Sequence, residues 1–270
     1  MPARTTRGVP TLGGGQWWTD RRYSQGFRVQ RFVGARRGHH RTLDADDRRV
    51  AAGSFEHCVE ALPPIGDSAA DYVVLLHGLG RRRSSLAGMD AALRGEGHQT
   101  IRLDYASTRE GIESHAASVQ EVLSQLPAKS RISFVTHSLG GIIARTVLAA
   151  GWPSHLNAHR LVMLAPPSTS ARLAQRLDSA PFHLLMGPSA RQLARGVDVP
   201  EPSIPFAIIA GSLRDGRGIN PLLSGDDDGI VRVEETRLVG CAEHRVVPAL
   251  HTTIMNHPEA RAITVRFLAS

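Results

Sequence analysis

The sequence predicts an α/β fold in which a mostly parallel sheet is covered by helices on both faces. Beyond residue 50, short runs of β-branched and apolar residues alternate with longer segments whose apolar residues recur every three or four positions. Parallel strands need such intervening segments, because each connection has to cross over the sheet. The chain of 270 residues is also 41% apolar, which is enough for a sizeable core.

The elements are predicted in chain order from this alternation. Residues 1–50 hold a glycine cluster, two tryptophans and scattered arginines without a sustained period, so we predict a disordered basic segment there. Residues 51–270 are predicted to form the folded domain. Its predicted strands are 54–62, 72–76, 99–103, 132–136, 160–164, 206–210 and 244–247, and its predicted helices are 84–95, 110–126, 139–150, 258–268 and a segment beginning at 231.

Residues 168–203 interrupt the alternation. They contain two helical pieces, 171–178 and about 189–195, flanked by prolines. An insertion of this length at the end of the sheet where ligands bind is typical of a small helical cap or lid. An ordinary crossover that covers the sheet explains the same pattern, so both interpretations stay open.

The net charge of +7 is concentrated near the N-terminus. Residues 1–60 contain 11 arginines and six acidic residues, which leaves 21 basic and 19 acidic residues for the rest of the chain. A solvated basic tail explains this excess, so nucleic acid is not predicted as a partner, while contact of the tail with an anionic membrane stays open. The sequence has neither a membrane-spanning apolar run nor a secretory leader, which predicts a cytoplasmic protein.

Neither a disulfide framework nor a cofactor is predicted. Cys58 and Cys241 are too few for such a framework, and the sequence does not decide whether they pair. No metal-binding pattern and no nucleotide-binding fingerprint is present, so we predict no metal and no cofactor. The number of subunits is not indicated.

A serine lies at a sharp corner of the predicted fold. Residues 132–136 have the composition of a buried strand, and the apolar residues from Leu139 onwards have helical spacing, so the chain turns at Ser138. Such a corner holds a hydroxyl above the sheet edge, while the following helix directs its first N–H groups at it. This is the setting that a serine nucleophile requires.

Four segments carry a family resemblance. They are VVLLHGLG at 73–80, THSLGG at 136–141, DDDGIV at 226–231 and HTTIM at 251–255, and together they resemble the α/β-hydrolase fold. Over roughly residues 70–268, the chain is most similar to the small bacterial lipases and esterases. It departs from the G-x-S-x-G pattern at Thr136, where the pattern has glycine.

The resemblance implies a catalytic triad in the chain order serine, acid, histidine. Ser138 is the expected nucleophile, and His251 is the expected base, with His257 as the reserve candidate. The D-G-x-V pattern selects Asp228 as the acid, and a solvated acidic turn is the better interpretation of Asp226 and Asp227. The weaker alternatives for the acid are Asp198 and Asp215.

The resemblance also implies an oxyanion hole and a reaction. The expected donors are the backbone N–H groups of Leu79 and Leu139. The implied function is hydrolysis of small-molecule or lipid carboxylic esters by an esterase or lipase. Acyl transfer, or cleavage of an amide or thioester, would use the same triad, and a catalytically idle fold used for binding is the alternative from another class.

Overall fold

The structure is a computed structural model that describes residues 9–10, 15–34, 38–168, 180–196, 198–213 and 218–270. Within these ranges the strands are β1 (Val9–Pro10), β2 (Trp18–Ser24), β3 (Phe27–Phe32), β4 (His40–Leu43), β5 (Arg48–Gly53), β6 (Asp71–Leu76), β7 (Gln99–Leu103), β8 (Arg131–His137), β9 (Asn157–Leu164), β10 (Phe206–Gly211) and β11 (Glu243–Val247). The α-helices are α1 (Phe55–Glu60), α2 (Ala87–Gly95), α3 (Ile112–Leu123), α4 (Leu139–Ala149), α5 (Ala180–Arg195) and α6 (Pro258–Ala269).

Strands β6 to β11 form the parallel sheet that the sequence predicts. Their order is β11-β10-β9-β8-β6-β7, and every neighbouring pair is parallel. Helices α3 and α4 pack against one face, and α2 and α6 pack against the other. The predicted α/β class is therefore confirmed. Because β8 lies inside this sheet, the turn that follows it opens at the carboxyl edge, where ligands bind in folds of this kind.

Both faces of the parallel sheet are apolar. In β6, Val74 and Leu76 belong to the core beneath α3 and α4, whereas Val73 and Leu75 belong to the core beneath α2 and α6. All four side chains are almost completely buried. A strand buried on both faces has a continuous apolar sequence, which explains why the sequence predicts these strands closely.

The prediction of a disordered segment over residues 1–50 is wrong for the part of it that the structure describes. Strands β1 to β5 form a second, antiparallel sheet in the order β1-β5-β4-β3-β2. A two-residue turn joins β2 to β3, and its residues Gln25 and Gly26 have φ values of 48° and 88°. These strands lack the alternation of apolar and polar residues that predicts a strand, because polar side chains occupy inward positions of the N-terminal sheet. These buried polar residues include Thr19, Asp20, Arg28, Gln30 and Thr42.

One buried guanidinium joins the N-terminal sheet to the parallel sheet. Arg28 is 1% exposed and donates to Asp104, just after β7, over 3.2 Å, and also to Asp47. Asp20 lies 3.9 Å from Arg28 and accepts the backbone N–H of Asp104 over 2.7 Å. Burial acts to lower the pKa of Arg28, but the three carboxylates outweigh it and raise that pKa above its usual value. Burial raises the pKa of Asp20 to about 6.

A buried arginine of α4 closes the base of the 168–203 insertion. Arg145 is 3% exposed and donates to the carbonyl of Ser168, where the insertion begins, over 3.2 Å. It also donates to the carbonyls of Val199 and Pro200, near the end of the insertion. One guanidinium therefore holds together the two ends of the inserted segment.

Only part of the insertion can be compared with its prediction. The helical piece expected at 171–178 lies outside the described residues, and the piece expected at 189–195 lies within α5. Helix α5 is kinked at Gly187, where φ is 78°, directly before Pro188. Beyond the kink it is fastened to the start of α3, because Gln192 Oε1 accepts the Ile112 N–H over 2.8 Å.

Two local predictions are wrong. Residues 54–62 were expected to form a strand, but they contain α1, because the Ser54 hydroxyl accepts the His57 N–H over 3.2 Å and caps a helix. The helix expected from residue 231 is only a short 3-10 turn at Val233–Thr236. The other predicted strands and helices that fall within the described residues are present with slightly different ends, and the helix predicted at 84–95 begins with a 3-10 turn at Arg83–Leu86.

Two further features are the state of the cysteines and the lengths of the helices. Cys58, in α1, and Cys241, before β11, are free thiols. Among the described residues, no helix combines the length and the apolar composition that crossing a bilayer requires.

Candidate active site

Ser138 lies on a strained turn between β8 and α4. Its φ of 53° and ψ of −119° form a conformation that residues other than glycine rarely adopt. Its N–H donates to the Leu164 carbonyl over 2.9 Å, and α4 begins at the next residue. This backbone geometry agrees with the strand-to-helix corner that the sequence predicts at Ser138.

Close packing of strand against helix maintains the corner. A Cβ at Gly140 would lie 2.5 Å from the Leu76 carbonyl oxygen, so α4 passes directly against β6. Thr136, the departure from the family pattern, is fully buried, and its hydroxyl donates to the Val162 carbonyl over 3.3 Å. The threonine is therefore accommodated by a hydrogen bond to β9 rather than by loss of the turn.

The loop after β10 brings a carboxylate to a histidine. His251 Nδ1 donates to Asp228 Oδ2 over 2.8 Å, and the backbone N–H of His251 donates to the Asp228 carbonyl over 2.9 Å. Asp228 Oδ1 accepts the N–H groups of Ile230 and Val231 over 3.0 and 2.8 Å. Both side chains are buried. The carboxylate partner assigns the proton to Nδ1, which leaves Nε2 of His251 as the basic nitrogen.

The neighbouring carboxylates shape the loop. Asp226 accepts the Ser212 hydroxyl. Asp227 is completely buried, so its interpretation as part of a solvated turn is wrong. The backbone donors to Asp227 are Gly229 (2.7 Å), Ile219 (3.1 Å) and Asn220 (3.2 Å).

The other candidates are not part of this pair. Asp198 is exposed, and Asp215 lies outside the described residues. His257 precedes α6, and its Nδ1 is buried without a hydrogen-bond partner among the described residues. The structure thus brings together Asp228 and His251, the acid and the base that the sequence favours.

His137, the last residue of β8, contacts the backbone of His251. Its Nε2 donates to the His251 carbonyl over 2.9 Å, and the two ring centroids lie 4.9 Å apart. Burial, and then the neighbouring His251, hold the pKa of His137 well below its usual value, so the ring is neutral. No sequence pattern indicates this contact, because 114 positions separate the two residues.

The turn after β6 lies against the serine corner. A Cβ at Gly78 would lie 3.3 Å from Ser138 Cβ and 2.8 Å from His137 Nδ1. The Arg81 N–H donates to the Gly78 carbonyl over 3.1 Å, which closes a four-residue turn. Gly80, in the third position of this turn, has a φ of 68° that favours glycine.

Both predicted oxyanion donors lie on segments that flank Ser138. Leu79 is the second residue of the 78–81 turn, and its side chain packs against the core beneath α3 and α4. Leu139 is the first residue of α4 and is fully buried. The first N–H groups of a helix have no partner within the helix, so they are available to a group at the corner.

A cavity of about 540 Å³ lies away from this corner, between the Gln25–Gly26 turn and the edge strand β7. The guanidinium groups of Arg94 and Arg102 point at the same carboxylate there, each 3.1 Å from Asp90. Arg83, the third arginine of the lining, pairs with Asp47, so each guanidinium there has a carboxylate partner within the protein. Elsewhere in the described chain, no group of three or more His, Cys, Asp or Glu side chains is arranged to hold a metal ion.

A family model decides the classification. The model of the alpha/beta hydrolase family matches residues 73–265, which is more than half of the chain. The chain belongs to the alpha/beta hydrolase family. The match begins in β6 and ends in α6, so it covers the parallel sheet and leaves out the N-terminal sheet.

Solved structures share this hydrolase fold at low sequence identity. The mature lipase BlEst2 of Bacillus licheniformis is 18% identical with a TM-score of 0.59, and the match covers 76% of this chain and 96% of that one. The metagenomic carboxyl esterase MGS0156 is 18% identical with a TM-score of 0.52, and the match covers 72% and 68% of the two chains. The lin2722 gene product of Listeria innocua is 16% identical with a TM-score of 0.52, over 74% and 94%. No curated protein matches the chain.

Proposed function

We propose that this hydrolase cleaves carboxylic esters, as an esterase or lipase, with Ser138, His251 and Asp228 as its catalytic triad. The hydrogen bond of 2.8 Å between His251 Nδ1 and Asp228 Oδ2 carries the proposal. It orients the imidazole and leaves Nε2 to accept a proton, which is the arrangement that a serine nucleophile needs. Neighbours of the same fold that are named lipase and carboxyl esterase favour the ester class.

The first half of the proposed reaction forms an acyl-enzyme. The Ser138 hydroxyl attacks the ester carbonyl carbon while His251 Nε2 takes its proton, and the imidazolium then protonates the departing alcohol. The Asp228 carboxylate stabilises that imidazolium. Because the depressed pKa of His137 keeps it neutral, it adds no repulsive charge when His251 becomes protonated.

The second half returns the enzyme to its starting state. Water attacks the acyl carbon, and His251 Nε2 accepts its proton before returning one to Ser138 Oγ. Each step passes through a tetrahedral intermediate whose oxyanion requires preorganised donors. We assign these donors to the backbone N–H groups of Leu79 and Leu139.

Replacement of the nucleophile tests this proposal. We expect Ser138→Ala to lower the turnover of a p-nitrophenyl ester by about 10⁴-fold or more, because the attacking group is lost. The same variant should no longer react with a fluorophosphonate probe. Ser133→Ala, on the same strand β8, is the matched control and should keep both properties.

The same assay separates the alternatives. Native turnover in the Ser138→Ala protein would overturn the assignment. If the wild-type protein neither reacts with the probe nor cleaves esters, a binding role on an idle fold replaces this proposal. Product analysis with a competing alcohol, an amide and a thioester distinguishes hydrolysis of esters from the other acyl chemistry of the triad.

A further inference from the structure

The segment that leads into the N-terminal sheet contacts the turn that carries the proposed oxyanion donor. Gln16, in the 3-10 turn Gly15–Trp17 just before β2, donates from Nε2 to the Arg81 carbonyl over 2.7 Å. Arg81 closes the 78–81 turn through its own N–H. Directly beside Gln16, a Cβ at Gly15 would collide with the guanidinium of Arg82, so the two segments are closely packed.

The amide oxygen of Gln16 orients the hydroxyl of Ser107, which in turn binds the same turn. Gln16 Oε1 accepts the Ser107 hydroxyl over 3.1 Å and the N–H of Thr108 over 3.0 Å. With its proton donated to Gln16, the Ser107 oxygen accepts the Gly80 N–H over 2.9 Å. Gln16 therefore holds the turn at two points, the Arg81 carbonyl directly and the Gly80 N–H through Ser107.

The sheet behind Gln16 fixes where this amide lies. The Thr19 hydroxyl accepts the Ala106 N–H over 3.2 Å, and the Asp20 carboxylate accepts the Asp104 N–H over 2.7 Å. Together with Gln16 and Thr108, these contacts bind alternate N–H groups along the loop after β7. Three neighbouring side chains of one segment thus fasten the loop that supports the turn.

The turn needs such support because of its composition. Gly78 and Gly80 flank Leu79, and glycine leaves a backbone free to adopt many conformations. An oxyanion donor, however, acts through an N–H group that is already in place before charge develops. The donor on such a turn has to be fixed by contacts from outside it.

We propose that Gln16 is a positioning residue, which acts with Ser107 to hold the 78–81 turn so that the Leu79 N–H is preorganised for the oxyanion. The inference rests on the proposed function, since it assigns an oxyanion to that position. It also gives the segment before β2, which lies outside the family match, a part in the reaction.

The test compares Gln16→Ala with Gln25→Ala, a glutamine of the same sheet that donates to the Pro64 carbonyl over 2.9 Å, away from the turn. For Gln16→Ala we expect kcat for a p-nitrophenyl ester to fall by about tenfold, because a displaced donor weakens transition-state binding. KM and the midpoint of thermal unfolding should stay near their wild-type values. The rate of fluorophosphonate labelling at Ser138 should fall with kcat, and Gln25→Ala should match the wild type throughout.

Two further variants keep the inference testable if Gln16→Ala folds poorly. Gln16→Glu keeps the acceptor for Ser107 but sets a carboxylate oxygen against the Arg81 carbonyl oxygen, and the two acceptors repel each other, so we expect a loss at least as large as that of Gln16→Ala. Ser107→Ala removes the second attachment, and the double variant with Gln16→Ala should be no worse than about the larger single effect, because both belong to one hydrogen-bonded chain. Independent, multiplying losses would overturn this arrangement.

The outcomes separate this inference from the proposed function. A folded Gln16→Ala protein with wild-type kcat and labelling rate would overturn the positioning role, even if Ser138→Ala is inactive. A loss confined to KM or to the unfolding midpoint would overturn it as well. A wild-type protein without esterase activity or labelling would instead overturn the proposed function.

Discussion

The parallel sheet and the N-terminal sheet have cores of opposite kinds. In β10 every residue is buried, and all of them are apolar or glycine. In β3 the buried run consists of Arg28, Val29 and Gln30. Apolar side chains need only contact with other apolar surface, whereas a buried guanidinium or amide needs partners in a defined geometry. Gln30, for example, donates to Asp20 over 2.7 Å.

This difference assigns two tasks to the two regions. The apolar sheet supplies the rigid frame on whose carboxyl edge the proposed triad lies, and the polar sheet binds the loops beside that edge. Substitutions in the two regions should therefore have separable effects. In the frame, replacement of Asp228 at the edge should change the rate with little effect on stability. In the N-terminal region, replacement of the buried Arg28 should change the stability, whereas Gln16 before β2 should change the rate.

The largest effect is expected at the carboxylate that contacts His251. Asp228→Asn should lower kcat by about 10⁴-fold, because an amide can stabilise neither the required tautomer nor the imidazolium. The free energy of unfolding should change much less, since an amide oxygen can still accept the N–H groups of Ile230 and Val231. Ester turnover and urea unfolding of the same samples provide the two measurements.

Asp227→Asn is the control within the same loop. Its carboxylate binds backbone N–H groups and not His251, so we expect a loss of stability of about 1–3 kcal/mol with most of the rate retained. If Asp227→Asn lost as much rate as Asp228→Asn, the assignment of the acid to Asp228 would be contradicted.

The two kinds of core also explain how much of the fold could be predicted. Inner strands of the parallel sheet, such as β6 and β10, contain continuous apolar runs, and each is recognisable by itself. β2 and β3 have no such run, because the partners of their buried charges are on other segments, such as Asp104 for Arg28. The Gln25–Gly26 turn is the one local signal of the hairpin, since a glycine in a two-residue connection is typical of such turns.

The residues of the candidate site also fall into two groups, those that the sequence indicates and those that it does not. Ser138, Asp228 and His251 belong to short motifs whose order along the chain is characteristic, so the sequence indicates them. His137 and Gln16 act through hydrogen bonds to backbone atoms of distant segments. A backbone carbonyl has no side-chain identity, so nothing in the sequence marks it as the partner of either residue.

A medium effect is expected at the ion that joins the sheets. Arg28→Met should lower the free energy of unfolding by about 3–5 kcal/mol, because it leaves the buried carboxylate of Asp20 without its cation and removes one of the two arginines beside Asp104. Two of the three tryptophans, Trp17 and Trp18, lie at the start of the N-terminal sheet, so their fluorescence during urea unfolding reports on it. Circular dichroism of the same samples reports on the whole chain.

Arg49→Met provides the matched control. Arg49 is an exposed arginine of β5 in the same sheet, so its loss should change the stability by less than about 0.5 kcal/mol. Equal unfolding midpoints for Arg28→Met and Arg49→Met would contradict the view that the buried Arg28 is a major contact between the two sheets.

The smallest effect concerns acid, to which a buried histidine of the frame and a buried aspartate of the N-terminal sheet should respond with opposite signs. Burial lowers the pKa of His115, in α3, to about 4, with Glu110 opposing the change and His77 and Arg31 adding to it. Below the ordinary value of 6.5, the unfolded chain binds a proton that this folded histidine does not, so stability falls as the pH falls from about 6.5 to 4. The contribution of Asp20 to stability has the reverse sign. Its pKa is raised from 3.8 to about 6, so between these values the folded state binds a proton that the unfolded chain does not, and stability rises as the pH falls from about 6 to 3.8.

His115→Phe isolates the contribution of the frame. Between pH 7.5 and 5.5, we expect this variant to lose about 1 kcal/mol less stability than the wild type, because one histidine that stays neutral on folding has been removed. His57→Phe, at an exposed position of α1, is the control and should keep the wild-type dependence. Urea unfolding at the two pH values is the measurement. If the pH dependence of His115→Phe were the same as that of the wild type, His115 would take up its proton in the folded state. The folded core around α3 would then tolerate a charged imidazole, and the lowered pKa of His115 would be contradicted.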